Sequence, residues 1–313
     1  MLDPAALASL ANLALRARVI VECAFAGIHR NIHIGTSMEF TEHKEYSPGD
    51  EIRRIDWKAV GRMDRYYVKR FEDETEMRTY MLVDASGSMG YGRRGTSKLT
   101  YATYLAGALA YLLGQQRDPP GLLIWGENPR GYLPPSTRSG QVRELLRQLE
   151  TATAEGKTNL PRMLGHVGEL VDKRSLIFVF SDLLDADAEL DGKSAKKSGE
   201  KPRGPTAERL AQLTARGHDV VLFHLLDPDE VQLPFEDLTY FEPVEPEDGR
   251  ALLAEAADLR EAFGRESQAF RDRWRTMCLE AGIEYRFATT AEPPSEVLRS
   301  FLTARQRPGR NAA

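Results

Sequence analysis

Short apolar runs alternate with segments of helical periodicity from Thr79 onward, and this alternation limits the chain to few folds. The run Ser175–Ser181 (Ser-Leu-Ile-Phe-Val-Phe-Ser) has no polar alternation, which is typical of a strand buried on both faces. The segment Lys98–Gly114 instead repeats leucine and alanine at the spacing of a helix face. Strands that alternate with helices predict an α/β fold, a Rossmann-like, mostly parallel sheet with helices on both faces.

The same patterns give the bounds of each predicted element. The predicted strands are Thr79–Asp84, Gly121–Trp125, Ser175–Ser181, His218–Leu226 and Ile283–Ala288. The predicted helices are Lys98–Gly114, Gly140–Leu149, Pro161–Val171, Thr206–Ala215, Arg250–Ala281 and Pro294–Ala304. In such a sheet, ligands bind at the carboxyl ends of the strands, near the point where the strand order reverses.

The chain before Thr79 has a different character. Met1–Ala26 is rich in alanine and leucine, and we expect an amphipathic helix packed on the body of the protein. Gly27–Glu76 has short alternating stretches, several aromatic residues and turn signals, which indicate a small β-rich module. We therefore divide the chain into residues 1–76, an N-terminal helix plus the β-rich module, and residues 77–313, the α/β domain.

Two polar segments interrupt the predicted α/β domain. Asp191–Pro205 is of low complexity and has no large apolar residue to bury, so it predicts a flexible insertion near residues 191–205. Asp227–Asp248 carries nine acidic residues and no basic ones, which predicts a solvated loop.

The composition is that of an ordinary soluble globular protein, with 42% hydrophobic and 28% charged residues. A net charge of −5 gives no general support for binding to nucleic acid or membranes. Arg16, Arg18 and Glu22 interrupt the apolar N-terminal stretch, so no membrane span is expected. Because we find no export signal and two distant cysteines, Cys23 and Cys278, we expect a cytoplasmic protein with reduced thiols.

The segment Asp84-Ala85-Ser86-Gly87-Ser88 stands at the end of the first predicted strand. It delivers one carboxylate and two hydroxyls to a single turn, and the spacing of two keeps them on one side of the backbone. All three are hard oxygen groups, the ligands that Mg²⁺ prefers. The segment predicts a metal-centred docking site more than an enzyme active site.

Thr158 and Asp182 extend this candidate site. Thr158 lies in a glycine-containing turn that leads into a helix, and Asp182 directly follows the strand Ser175–Ser181. Because Asp84 and Asp182 both lie at carboxyl ends of predicted strands, we expect them at the same edge of the sheet. The five predicted ligands of Mg²⁺, or of Mn²⁺ or Ca²⁺ in its place, are Asp84, Ser86, Ser88, Thr158 and Asp182. They would act directly or through water, and an acidic residue of a partner would fill a remaining position.

The order of these motifs resembles the metal-ion-dependent adhesion site of von Willebrand factor A domains. In that family the residues that match the five predicted ligands bind Mg²⁺, and a partner's acid completes the shell. Leu183 departs from the pattern, because many members have glycine after the matching aspartate.

The upstream segment resembles the bacterial domain-of-unknown-function 58 proteins, which are themselves similar to von Willebrand A domains. The motifs that carry this resemblance are Gly27-Ile28-His29-Arg30, Glu39-Phe40, Tyr46-Ser47-Pro48-Gly49-Asp50, Arg53-Arg54-Ile55-Asp56-Trp57 and Val68-Lys69-Arg70-Phe71. The resemblance implies a non-enzymatic partner or adaptor of MoxR-type AAA+ ATPases. The residues Arg53, Asp56 and Trp57 would form an interaction surface or pack the β-rich module.

Two other functions stay open as alternatives. A bound cation with an open position can activate water, which would make the protein a metal-dependent hydrolase. The stretch Ile52–Arg70 contains seven Lys and Arg residues with interleaved aromatics, which would suit a nucleic-acid-binding adaptor. We expect neither, because no general base is evident beside the Asp84 turn and scattered charge is usually solvated. An ATPase is disfavoured too, since Thr96 stands where a phosphate-binding loop needs lysine.

Overall fold

The computed structural model describes residues 4–26, 43–45, 67–69, 77–92, 95–184, 204–235, 238–241 and 252–305. Within these residues the strands are β1 (His43–Glu45), β2 (Tyr67–Lys69), β3 (Arg78–Asp84), β4 (Pro120–Trp125), β5 (Pro129–Leu133), β6 (Ser175–Ser181), β7 (Asp219–Leu226), β8 (Leu238–Phe241), β9 (Leu252–Glu255) and β10 (Glu284–Thr289). The α-helices are α1 (Pro4–Ala8), α2 (Leu13–Phe25), α3 (Lys98–Gln116), α4 (Gln141–Glu150), α5 (Leu160–Leu170), α6 (Pro205–Ala215), α7 (Pro228–Gln232), α8 (Ala256–Glu280) and α9 (Pro294–Arg305). A 3₁₀ turn spans Gly87–Gly90.

A six-stranded sheet forms the centre, with the strand order β10-β7-β6-β3-β4-β5. Neighbouring strands are parallel except at one edge, where β5 runs antiparallel to β4. This arrangement confirms the predicted α/β fold with a mostly parallel sheet. Because β4 and β6 lie on opposite sides of β3, the strand order reverses between β3 and β6, and their carboxyl ends form the switch point of the sheet.

Helices cover both faces of the sheet, as its uninterrupted apolar strands require. On one face, Tyr80 and Leu82 of β3 belong to a core that includes buried residues of α5, α6 and α8. On the other face, the rings of Phe180 and Phe223 stack with centroids 5.0 Å apart, and Phe301 of α9 meets Phe223 edge-on. Alternate residues of the same strands thus serve two cores.

Helix α3 is buried around most of its circumference, which is typical of a helix enclosed by other elements. It contacts the sheet strands β3, β4 and β7 as well as α2, α4 and α9. Ser97 caps its first turn, because the hydroxyl accepts a hydrogen bond from the Thr100 N–H at 3.1 Å. Gly107 allows the close approach of α2 and α4, since a Cβ there would lie 3.0 Å from Leu146 Cδ2 and 3.5 Å from Leu13 Cγ.

The predicted N-terminal helix is in fact two helices, α1 and α2. Asn12 separates them with an extended backbone, and its side chain caps α2 by accepting a hydrogen bond from the Leu15 N–H at 2.9 Å. Asparagine is favoured at the position before a helix and not inside one, so Asn12 begins a new helix. The alanine-rich composition on both sides of it led to the prediction of a single helix. The expected packing on the body is present, because Leu13 and Ile20 are buried and Arg299 of α9 donates to the Ala24 carbonyl.

The acidic segment and the helix after it also differ from the prediction. The predicted helix Arg250–Ala281 begins only at Ala256, because Leu252–Glu255 form β9, which pairs antiparallel with β8. The segment Asp227–Asp248 is not solvated throughout, since Asp227 and Asp229 are buried at the start of α7. The prediction also lacked the edge strand β5, which is largely exposed and therefore gives a weak apolar signal.

By its contacts the chain falls into two compact units, Gly35–Met77 and the rest. The smaller unit contains the antiparallel pair β1–β2, whereas α1 and α2 group with the α/β body. The predicted division at residue 76 instead places the N-terminal helix with the β-rich module. The residues Arg53, Asp56 and Trp57, most of the basic stretch and most of the insertion near 191–205 lie outside the described residues. No helix in the described part is long and apolar enough to cross a membrane.

Candidate metal centre

The candidate site lies at the switch point of the sheet. Asp84 is the last residue of β3, and Asp182 directly follows β6, the neighbouring parallel strand. Both side chains are fully buried. Register between the two strands therefore brings the two predicted carboxylates to the same edge, as the sequence indicated.

Asp84 accepts hydrogen bonds from neutral groups. One carboxylate oxygen accepts the Ser86 N–H at 3.0 Å, and the other accepts the Ser181 hydroxyl at 2.8 Å. Burial and, to a smaller extent, the Asp182 carboxylate raise the pKa of Asp84 to about 7, because the hydrogen bonds offset only part of the rise. No cationic side chain in the described residues pairs with this carboxylate.

Ser86 and Ser88 bring their hydroxyls together in the turn after β3. Their Oγ atoms lie 3.1 Å apart, and both side chains are buried. The 3₁₀ turn Gly87–Gly90 carries Ser88, whose hydroxyl also interacts with Asp182. Asp84, Ser86, Ser88 and Asp182 therefore form one connected cluster of oxygen groups.

Asp182 differs from Asp84 because it has a cationic partner. Its Oδ2 lies 2.8 Å from Lys98 Nζ, and its Oδ1 accepts the Leu184 N–H at 3.2 Å. Although burial alone raises the pKa of Asp182, the Lys98 ammonium outweighs this effect and lowers the pKa below its usual value. Lys98 also contacts Glu230 of α7, with 2.5 Å between Nζ and Oε1.

Thr158, the fifth predicted ligand, is tied to the edge of the site. Its Oγ1 accepts a hydrogen bond from Trp125 Nε1 at 3.2 Å, and none of its described hydrogen bonds reaches the other four residues. Its turn is nevertheless joined to the Asp84 turn, because the Gly87 N–H donates to the Gly156 carbonyl at 2.7 Å. The structure thus connects four predicted residues directly and the fifth through the backbone.

Arg130 of β5 holds the turns of the site against each other. Its guanidinium donates to the carbonyls of Ala85 at 3.1 Å, Thr153 at 3.0 Å and Glu155 at 2.5 Å. The Glu155 N–H also donates to the Ala85 carbonyl at 3.0 Å. The loop after β3 and the loop before α5 are therefore joined by both backbone and side-chain hydrogen bonds.

The conformation and packing of Leu183 explain why leucine can stand where many von Willebrand A domains have glycine. Its φ of 60° lies in the left-handed region, which favours glycine, and the Leu183 N–H donates to Ser181 Oγ at 3.0 Å. The side chain is buried in the core formed with α5 and α6. The loop therefore has the conformation that glycine would allow, and apolar packing offsets the cost for leucine.

Four more residues contact the candidate residues or their loops, and no sequence motif indicated a role for them: Lys98, Glu230, Ser181 and Arg130. Of these four residues, only Lys98 could have been noticed in the sequence, because a lysine at the start of a mostly apolar helix is unusual. The partners of Lys98 and Arg130 are distant in sequence and appear only in the fold. No group of three or more His, Cys, Asp or Glu side chains in the described residues could hold a metal. An ion at this edge would therefore depend on the serine and threonine hydroxyls.

Comparison with known proteins gives a family and weak structural likenesses. The family described as "Protein of unknown function DUF58" matches residues 42–273. The uncharacterized protein Rv1480 of Mycobacterium tuberculosis is 26% identical over 274 residues, which cover 86% of this chain and 80% of that protein.

Two solved structures cover most of the chain. BatB from Bacteroides thetaiotaomicron has 14% identity and a TM-score of 0.46, over 73% of this chain and 98% of that one. An aerotolerance-related membrane protein from Bacteroides fragilis has 16% identity and a TM-score of 0.46, over 73% and 99% of the two chains. Likenesses at this level carry no argument about function.

Proposed function

The chain belongs to the DUF58 family, and from that premise we propose that it is a Mg²⁺-dependent protein-interaction module. The cluster at the ends of β3 and β6 would bind Mg²⁺, and a carboxylate from a partner would complete the coordination shell. The observation that carries this proposal is Asp84, a fully buried carboxylate that only neutral donors contact among the described residues. Burying an uncompensated charge is costly, and a bound cation would remove that cost.

The donor set suits a small, hard cation. Asp84 supplies a carboxylate, and Ser86 and Ser88 supply neighbouring hydroxyls; all are oxygen ligands of the kind that Mg²⁺, Mn²⁺ and Ca²⁺ take. Thr158 would contribute its hydroxyl from the adjoining turn. When bound, the ion would supply an electrophilic centre that attracts an anionic ligand. The resemblance of the sequence motifs to the metal-ion-dependent adhesion site of von Willebrand A domains supports the same proposal.

The side chains around Asp84 favour binding over catalysis. Hydroxyls are poor general bases, and burial lowers the pKa of Lys98 less than the carboxylates of Asp182 and Glu230 raise it, so its ammonium stays protonated. We therefore propose a non-enzymatic role. We propose a MoxR-type AAA+ ATPase, or a client of that ATPase, as the partner, and this choice rests on the resemblance of the upstream motifs.

Capture of a purified MoxR-type ATPase by the immobilised protein tests this function. We expect capture in Mg²⁺, loss of capture in EDTA, and loss in the Asp84→Ala variant. Asp172→Ala is the matched control, because Asp172 is an exposed aspartate whose partner is Arg78, at the opposite end of β3. Capture that survives both EDTA and Asp84→Ala would contradict the metal bridge.

A screen for hydrolysis distinguishes the proposed interaction module from the alternative, a metal-dependent hydrolase. Purified protein with Mg²⁺ or Mn²⁺ is offered generic phosphoesters and peptides, and we expect no turnover. Turnover that disappears in Asp84→Ala would identify a metal-dependent hydrolase in place of an interaction module.

A further inference from the structure

Lys98 occupies a position where a lysine is costly. It is the first residue of α3, its side chain is fully buried, and the amino end of a helix carries partial positive charge. An ammonium group in this position loses its hydration and is repelled by the helix dipole. Its retention there requires strong compensation from nearby anions.

Two carboxylates supply that compensation from different elements. Asp182 lies at the end of β6, and Glu230 lies in α7. Glu230 is itself fixed, because its Oε2 accepts the Asp227 N–H at 2.7 Å in a capping box. The Asp227 carboxylate in turn accepts the Thr290 hydroxyl at 2.9 Å. The Lys98 ammonium thus bridges carboxylates of two elements, and this contact fixes the position of Asp182.

Asp182 differs from Asp84 in the charge of its donors, since each of the two carboxylates accepts hydrogen bonds at both oxygens. Oδ2 accepts from the Lys98 ammonium and Oδ1 accepts from the Leu184 N–H. Asp84 has no ammonium or guanidinium partner in the described chain. The charge of an ionised Asp84 therefore has no compensating cation among the described residues, and a bound divalent cation would supply one.

We propose that Lys98 is the specificity-determining residue of this metal site, because its ammonium holds the Asp182 carboxylate away from direct contact with the ion. This inference rests on the proposed function of the site. Asp182 then acts on the ion at a distance or through water, and Asp84 is the carboxylate for which no described cation competes with the ion. Mg²⁺, which retains waters and is bound through one or two carboxylates, suits such a site better than Ca²⁺, which takes six to eight oxygen ligands.

Calorimetric titration of the metal-free protein with Mg²⁺ and with Ca²⁺ tests the inference. The wild type is expected to prefer Mg²⁺, whereas Lys98→Met frees Asp182 and Glu230 and shifts the ratio of the two dissociation constants towards Ca²⁺ by about tenfold or more. Lys173→Met is the matched control, because Lys173 is exposed and precedes β6 at the opposite edge of the sheet; its ratio stays that of the wild type. An unchanged ratio in Lys98→Met overturns the inference.

A second variant covers the case in which Lys98→Met does not fold. Asp182→Asn keeps Lys98 paired with Glu230, and we expect it to weaken Mg²⁺ binding by no more than about tenfold. Asp84→Asn is expected to abolish binding. If Asp182→Asn abolishes binding as well, Asp182 is a direct ligand and the inference is wrong. If the wild type binds neither ion, the proposed function fails, and the inference fails with it. If the wild type binds Mg²⁺ but the variants do not behave as predicted, only the inference fails.

Discussion

At the scale of single residues, the fold accepts local cost where the surroundings compensate for it. Leu183 shows this directly, since its positive φ is unfavourable for leucine by about 1–2 kcal/mol. Its side chain is fully buried, and truncation of a buried leucine costs about 2–5 kcal/mol. The packing is therefore worth more than the strain, which explains a leucine where the motif favours glycine.

Two substitutions at Leu183 separate packing from strain. Leu183→Gly relieves the backbone but loses the packing, so we expect a net destabilisation of about 1–4 kcal/mol. Leu183→Ala loses most of the packing and keeps the unfavourable φ, so we expect it to be less stable than Leu183→Gly by about 1 kcal/mol. Chemical denaturation of the three proteins checks this order. An alanine variant as stable as the glycine variant would contradict the left-handed conformation.

His224 links the core to pH. The residue lies fully buried in β7, its Nδ1 is 2.7 Å from the Tyr285 hydroxyl, and burial lowers its pKa to about 3. The unfolded chain takes up a proton near the ordinary value of 6.5 and the native protein does not, so acid favours unfolding. The stability contributed by neutral His224 is therefore present above 6.5 and is lost as the pH falls towards 3.

We expect this group to account for a loss of about 2 kcal/mol in unfolding free energy between pH 7 and pH 5. Other groups titrate in the same range, so the comparison is with His224→Phe, which cannot take up a proton. Denaturation curves at both pH values should show a smaller loss for the variant. Equal losses would mean that His224 is protonated in the native protein.

At the scale of elements, the site depends on how loops from different strands are joined. Arg130 lies on the edge strand β5, and its hydrogen bonds reach the carbonyls of Ala85, Thr153 and Glu155. These carbonyls belong to the two loops that carry Asp84, Ser86 and Thr158. Although no residue of β5 is buried, this edge strand positions the two loops of the site through Arg130.

Replacing Arg130 with alanine removes these hydrogen bonds. We expect a loss of about 1–2 kcal/mol in stability, since the guanidinium is partly exposed to water, together with weaker Mg²⁺ binding. Denaturation and metal titration measure the two effects. The exposed Arg138, whose side chain makes no described hydrogen bond, provides the matched alanine variant. If both arginine variants bind Mg²⁺ equally well, Arg130 has no role in positioning the site.

The elements that sequence patterns predicted are those whose signal is local. The strand Ser175–Ser181 was predicted with its observed bounds, because a run buried on both faces is recognisable from its residues alone. The strands β5, β8 and β9 were missed, because their pairing depends on partners that periodicity does not show. The buried state of Asp227 and Asp229 was likewise hidden, since it depends on a capping box and on Thr290.

The candidate site shows the same limit. Asp84 and Asp182 were placed together because both follow predicted parallel strands, and the register of β3 with β6 supports this. The pairing of Lys98 with Asp182 spans 84 positions of sequence and joins a helix start to a strand end. Such a contact forms only when the helix packs on the sheet, so no local sequence motif predicts it.

At the scale of the whole molecule, the switch point is where the fold concentrates its buried charge. Asp84 and Asp182 lie at the ends of adjacent strands, Lys98 begins the central helix, and Glu230 follows the next strand over. The sheet strands β3, β6 and β7 and the helices α3 and α7 together bring these groups to one edge of the sheet. The central claim of the account is that a divalent cation belongs beside Asp84.

One measurement tests that claim most directly: calorimetric titration of the metal-free protein with Mg²⁺ at about pH 8, above the raised pKa of Asp84. The account predicts saturable binding of one ion by the wild type and by the exposed-site control Asp172→Asn. It predicts no saturable binding by Asp84→Asn. A wild type that binds no Mg²⁺, or an Asp84→Asn variant that binds it with unchanged affinity, would contradict the account.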